Sequence, residues 1–247
     1  MHSATDLEGR AIIVGSGVGG LSTAIHLAAA GMEVTVLEKQ DSIGGKLRQV
    51  TDNGYRWDTG PTVITLNHVF ADLFAAAGRR VQDYLTLVPV DPLTRYFYAD
   101  GTTLDINVSL AQTVANISAL EPRDVAGYIR FLAFAANMYR ITAPFAIYGD
   151  PPTPRDLFEL PLSDIAQVDF TRNMNQAIEA HVTSPHLRQL LDRFATYLGA
   201  SPYKARGYMN VIAHVELTSG LYYPLGGTYA IVRAYRQLAR ELGVEIY

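Results

Sequence analysis

The sequence has no cysteine anywhere in its 247 residues. That excludes disulfide frameworks, thiolate metal sites and a cysteine nucleophile, and leaves the redox compartment open. Charge is scarce too: Asp, Glu, Lys and Arg make up 18%, against roughly 25% in ordinary soluble domains. The 20 basic and 24 acidic residues leave a formal net charge of −4, so nothing in the balance favours binding nucleic acid. No metal site is expected, because the histidines lack ligand spacing. His181 and His186 are split by Pro185, and His214 stands alone in an apolar stretch. Internal repeats and low-complexity tracts are absent as well.

An unbroken apolar run of membrane-spanning length is also missing. The longest uncharged stretch, Ala11 to Met32, is interrupted by Gly15, Gly17, Gly19, Gly20 and Gly31 and by His26. Ahead of it, Met1 to Arg10 carries Asp6 and Glu8 against one arginine, which is not the positive flank of a signal peptide. A cytoplasmic location is the resulting expectation. What the chain does have is hydrophobic bulk, 49% of residues, with 20 Gly and 12 Pro. Its length suits one large or two modest domains with a substantial core.

Ala11–Val14 reads as a buried strand, Gly19–Ala30 as a helix stopped by Gly31, and Glu33–Leu37 as a second strand, together a βαβ unit. Asn67–Ala77 predicts an amphipathic helix with Asn67 as N-cap and Gly78 as its stop. Arg95–Tyr98 and Thr102–Ile106, joined through Asp100-Gly101, predict a hairpin that has no place in a parallel sheet. From Ser109 to about Leu217 the pattern is mostly helical, with starts signalled by Pro122, Pro154 and Pro185. A last helix carries Ile231, Ala234, Leu238 and Leu242 on one face and ends at Gly243, and Val244–Ile246 opens another strand. A chain that stops just inside a strand is expected to be the front part of a longer polypeptide.

The chemistry is concentrated in Gly15-Ser16-Gly17-Val18-Gly19-Gly20, a G-x-G-x-x-G between strand and helix. The first glycine permits the tight turn, the second lets backbone approach a pyrophosphate, and the third lets helix and strand pack closely. Glu38 ends the second strand, where a carboxylate accepts hydrogen bonds from a ribose diol and disfavours a 2′-phosphate. Strand, helix, second strand and acid in register point to a dinucleotide site. Gly44-Gly45-Lys46 then brings further backbone N–H groups and a positive charge, and Trp57-Asp58-Thr59-Gly60-Pro61-Thr62 follows.

This extended pattern resembles the FAD-binding signature of the flavin amine-oxidase-like superfamily. Within it, Asp58 to Thr65, Arg193-Phe194-Ala195-Thr196-Tyr197-Leu198-Gly199-Ala200-Ser201-Pro202 and Tyr223-Pro224-Leu225-Gly226-Gly227-Thr228 are similar to segments of the bacterial-type carotenoid desaturases. That group includes phytoene, dehydrosqualene and hydroxycarotenoid desaturases. The resemblance runs from about residue 10 to the end. Lys46 departs from it, since Arg is usual there and Lys loses the planar fork.

The resemblance implies an α/β fold: a Rossmann-type FAD-binding domain, a mixed sheet and a mostly helical substrate domain, truncated at the C-terminus. Residues 1–85 would begin the FAD-binding domain, 86–217 form the substrate domain, and 218–247 return to the first. FAD would be held by Gly15, Ser16, Gly17, Gly19, Gly20, Glu38, Lys39, Gly45, Lys46, Asp58, Gly60, Pro61 and Thr62. The implied activity is desaturation of a long isoprenoid such as phytoene by hydride transfer to flavin, with a quinone or oxygen as electron acceptor. Arg155 and Asp156 resemble a polar pair proposed to act on substrate in that family, although Thr153-x-x-Asp156 is also a capping-box-like pattern, and the cap is the favoured reading. The apolar Phe131–Ala136 and Pro144–Tyr148 fit a hydrocarbon tunnel, a helical core or a face dipping into a bilayer. Peripheral contact with the inner face of the membrane is one expectation from this composition. Two alternatives stay open: another flavin amine-oxidase-like oxidoreductase, or a non-catalytic isoprenoid-binding fragment on the same fold, as in the GDP-dissociation inhibitors.

Overall fold

The computed structural model describes residues 9–149 and 161–247. In chain order its elements begin with β1 (Arg10–Val14), α1 (Val18–Ala29), β2 (Glu33–Leu37), β3 (Gln49–Asp52), β4 (Tyr55–Asp58) and α2 (Asn67–Ala76). Next come β5 (Leu87–Pro89), β6 (Thr94–Phe97), β7 (Thr103–Ile106), α3 (Leu110–Leu120) and α4 (Val125–Ala146). The rest are α5 (Leu162–Ile165), α6 (Met174–Glu179), α7 (Pro185–Asp192), α8 (Val211–Ser219), β8 (Tyr222–Pro224), α9 (Tyr229–Glu241) and β9 (Glu245–Ile246). The chain divides into two units, one of residues up to 90 with 221–247 and one of 91–220.

The first unit is built on a parallel sheet in the order β1-β2-β9. Residues Val34 and Val36 of β2 point to one face, where they meet Leu21, Ala24 and Ile25 of α1 and Val232 and Leu238 of α9. All of these are buried, and each large aliphatic among them stabilises the unit by about 1.5–3 kcal/mol. The opposite face is bare: Ile12 is 71% exposed and Val14 85%. Parallel sheets are ordinarily covered on both faces, so this half-clad sheet is unusual for its type.

The antiparallel strands do not form the expected mixed sheet. Among the described residues they pair off as three separate two-stranded ladders, β3 with β4, β5 with β8 and β6 with β7. The β3–β4 hairpin turns on Asn53-Gly54, both with positive φ (47° and 82°). Asn-Gly is the preferred pair for such a turn, so a sequence signal was present for a hairpin the periodicity did not suggest. Helix α2 begins where expected, but Leu66, in the left-handed region, takes the N-cap position and no side chain caps the helix.

The second unit is mostly helical around a core of Phe131, Met138, Leu187, Leu190 and Phe194. The 22-residue helix α4 approaches the turn before α7 at Gly127, where a Cβ would overlap the His181 carbonyl oxygen. Just ahead of α4, buried Asp124 accepts from the backbone N–H groups of Thr183 and Ser184 and from the Thr183 hydroxyl. Among the described residues, no helix is long and apolar enough to cross a membrane.

The glycine motif shows why its positions differ. A Cβ at Gly20 would overlap the Gly15 carbonyl oxygen, whereas one at Gly19 would meet nothing within 4 Å. Gly20→Ala is therefore expected to destabilise the protein by about 1–3 kcal/mol through forced separation of helix and strand. Gly19→Ala is expected to leave stability unchanged or raise it by up to about 1 kcal/mol. Thermal unfolding followed by circular dichroism compares the two.

Candidate functional site

Strand β1 delivers the chain to Gly15, whose φ of +98° makes the turn and whose N–H donates to the Leu37 carbonyl at 2.7 Å. Gly17 is the N-cap of α1, with no side chain capping the helix and no acidic residue in its first turn. The free N–H groups of that turn, together with the helix dipole, suit an anion. A Cβ built on Gly17 meets no atom within 4 Å, so a ligand has access to the backbone there.

The second glycine pair packs against the first, backbone to backbone. Gly44 pairs with Gly17 in an isolated parallel bridge, and its N–H donates to the Ser16 carbonyl at 2.9 Å. A Cβ on Gly45 would sit 3.1 Å from the Gly17 Cα, and one on Gly44 would overlap the Leu47 carbonyl oxygen. The Gly44 N–H is thus committed to the protein, not offered to a ligand. Lys46 follows, exposed, with no ion pair among the described residues. Gly17, Gly45, Lys46, Pro61, Phe70, Thr228 and Ile231 are among the residues lining a cavity of about 650 Å³.

Glu38 stands at the end of β2 beside another cavity, of about 450 Å³, also lined by Gln40, Ile43, Arg236, Arg240 and Tyr247. One carboxylate oxygen accepts from the Ser16 hydroxyl at 2.6 Å and the Ser16 N–H at 2.9 Å, and the other accepts from the Gln40 N–H at 3.0 Å. The Ser16 hydroxyl, then its N–H, then the Gln40 N–H hold the Glu38 carboxyl down at about 2. It is an anion at any physiological pH. Lys39 is exposed next to it.

Asp58 lies in a different setting. Its carboxylate accepts from the Gln49 side chain at 2.8 Å and from the Tyr229 N–H, at the start of α9, at 3.0 Å. Burial pushes this carboxyl up, but Gln49, the Tyr229 N–H and the nearby Arg56 and Arg233 charges outweigh it and hold it below the usual aspartate range. Buried Gly227, with φ of +90°, makes the room: a Cβ there would overlap the Asp58 carboxylate. Gly60 fits against the Lys46 carbonyl oxygen in the same way. Asp58 and Gly60 thus brace the loop that places Pro61 at the large cavity. Thr62 lines a smaller one of about 290 Å³ with Arg56, Trp57 and Tyr223.

All the residues expected to hold the dinucleotide therefore fall in one unit, and Gly17, Gly45, Glu38, Lys46, Pro61 and Thr62 border these cavities, while Gly15, Gly19, Gly20 and Gly60 line none of them. Arg155 and Asp156 lie outside the described residues, as does the helix start expected at Pro154. Thr228, Ile231, Arg236 and Arg240 of the α9 region went unforeseen as lining residues. The arginine pair sits one helical turn apart on the face opposite Ile231 and Leu238, a spacing legible in the sequence, but nothing in it shows which loops that face meets.

Comparison with known proteins places this geometry in context. The family described as flavin containing amine oxidoreductase matches residues 18–247. A 4,4'-diapolycopene oxygenase from Methylomonas sp is 37% identical over 239 residues, covering 96% of this chain and 48% of the relative. A 4,4'-diaponeurosporene oxygenase from Staphylococcus aureus is 32% identical, with the same coverage of 96% and 48%. The chain thus spans about half the length of the curated relatives it matches. Among solved structures, the cyclohexylamine oxidase from Brevibacterium oxydans has a TM-score of 0.60 at 19% identity, covering 98% of this chain and 51% of that one. At that identity the likeness speaks for the fold.

The Asp58 contact yields a stability test. Asp58→Ala leaves the Tyr229 N–H and Gln49 unpaired, for an expected loss of about 1–3 kcal/mol. Because folding lowers the Asp58 pKa, its contribution is fully present above the unfolded pKa and fades as pH falls through the folded one. The stability gap between wild type and Asp58→Ala should therefore narrow on acidification below the ordinary aspartate range. Urea unfolding at neutral and at acid pH measures it.

Proposed function

Because the chain belongs to the flavin containing amine oxidoreductase family, we propose that the site at its glycine turn holds FAD in an oxidoreductase acting on a long carotenoid. The observation that carries this reading is the Gly17 turn, open to a ligand, with an ionised Glu38 at the neighbouring strand end. Those residues fit the cofactor. The N–H groups of the first turn of α1 would face the pyrophosphate, and Glu38 would take the adenosine ribose. Lys46 would add charge along the linker, and the loop at Pro61 and Thr62 would border the ring end. When bound, FAD supplies a two-electron acceptor for C–H oxidation.

The chain's own contribution is to bind, orient and exclude water. Phe70, Val63, Ile64 and Ile231 make the wall of the large cavity mostly apolar, which suits a flavin ring and a hydrocarbon beside it. The bare face of the β1-β2-β9 sheet, together with relatives about twice as long, supports a site that further polypeptide completes.

Two reactions on a carotenoid are compatible with this site. Desaturation removes two hydrogens from adjacent carbons and lengthens the conjugated system. Oxygenation of the chain end is the second reading, favoured by the names of the two curated relatives. The experiment is incubation of the FAD-supplemented protein with a linear C30 or C40 polyene in lipid vesicles under isotopically heavy oxygen gas. Desaturation predicts a product lighter by two hydrogens with red-shifted absorption and no label, whereas oxygenation predicts label in the product. An untouched polyene alongside an oxidised amine would overturn both. Gly17→Val is expected to abolish FAD binding while leaving the protein folded, because its side chain would fill the space a pyrophosphate needs. Unchanged flavin content in that variant, measured by absorbance, would remove the basis of the assignment.

A further inference from the structure

The fully buried Ser16 lies inside the glycine motif at a position that the motif leaves free. Both of its donors converge on one oxygen of Glu38, the hydroxyl at 2.6 Å and the N–H at 2.9 Å. Its carbonyl accepts from Gly44, so Ser16 is fixed from a second side. The Gln40 N–H holds the other carboxylate oxygen. With two donors on one oxygen and one on the other, the carboxylate is held in one orientation, and the acceptor position left to it lies beside the cavity shared with Arg236, Arg240 and Tyr247.

We infer that Ser16 is a positioning residue that sets the orientation and charge of Glu38 for recognition of a ribose diol. This rests on the reading of the site as a dinucleotide site and adds to it a determinant of nucleotide affinity that G-x-G-x-x-G does not specify. A carboxylate accepts a ribose hydroxyl well only when its plane is fixed beforehand, and otherwise the ligand must bear the cost of ordering it. Ser16 removes that cost. It also stabilises the ionised form: the hydroxyl bond is the largest single cause that holds the Glu38 carboxyl low. The other ionisable groups around it are Lys39 and Asp41 of its own loop, Arg236 and Arg240 of α9, and Glu245 and Tyr247 at β9. Among the described residues none of their side chains donates a hydrogen bond to the Glu38 carboxylate, and the Lys39 backbone N–H adds a small lowering of its own.

The test pairs two readouts on the full chain: the carbon-13 titration of the Glu38 carboxyl without nucleotide, and FAD affinity as a function of pH. In wild type the carboxyl should titrate near 2, and FAD binding should persist to acid pH. Ser16→Ala should move the titration up towards 4.5, the ordinary glutamate value, and move the acid limb of FAD binding up with it. It should also weaken FAD binding by roughly tenfold at neutral pH, the worth of one hydrogen bond to a charged group. Ser16→Cys keeps the side chain's shape with a weaker donor and should fall between the two. If both variants bind FAD with the wild-type pH profile, or if the Glu38 titration does not move, the role assigned to Ser16 is wrong. Failure of the wild-type protein to bind FAD would overturn the dinucleotide reading itself and the ribose with it, an outcome distinct from normal binding by the variants.

Discussion

The site depends on contact between two stretches of bare backbone. Gly17 and Gly44 run side by side, and a Cβ on Gly45 would stand a tight 3.1 Å from the Gly17 Cα. Glycine is required on the second loop, where Gly44 and Gly45 hold positive φ (113° and 62°) and a Cβ on Gly44 would overlap the Leu47 carbonyl oxygen. The contact fixes the loop after β2 against the turn after β1, which puts Ser16 within reach of Glu38 and Lys46 at the mouth of the cavity. The order of events runs from a steric constraint to a polar arrangement, and the polar residues inherit their positions from the glycines.

Two carboxylates then divide the work. Glu38 ends a strand beside an open cavity, held by donors from its own unit but with an acceptor position left. Asp58 is turned inward, its oxygens on Gln49 and on the N–H that begins α9. Both titrate below their usual range, yet for opposite ends: one leaves its charge beside a cavity, and the other staples the loop carrying Pro61 and Thr62 to a helix. The electrostatic shift alone does not tell them apart. What distinguishes them is where the remaining acceptor capacity points.

Much of this was legible beforehand, and the reason is local. The βαβ unit follows from short-range signals: an apolar run, a glycine turn, an amphipathic helix and a stopping glycine, with Glu33–Leu37 read to the residue. The proline at the start of α7 and the Asp100-Gly101 turn are likewise contained within a few residues. What stayed hidden depends on partners far apart in the chain. Asp58 meets Tyr229 across 171 positions, and no periodicity announces that pairing. The same holds for the commitment of the Gly44 N–H to Ser16, and for the splitting of the antiparallel strands into separate ladders. The Asn53-Gly54 hairpin is the exception, a local signal present in the sequence that a search for apolar alternation passes over.

The central claim, that the turn between β1 and α1 is where the cofactor's pyrophosphate is held, can be put to the backbone directly. Amide nitrogen–proton spectra of the labelled chain, recorded as FAD is added, report each N–H separately. The account predicts the largest shifts at Gly17, Val18, Gly19 and Gly20, with a smaller response at Gly44, whose N–H is already bonded to Ser16. Shifts confined to other parts of the chain, with those four amides unmoved at saturating FAD, would contradict it.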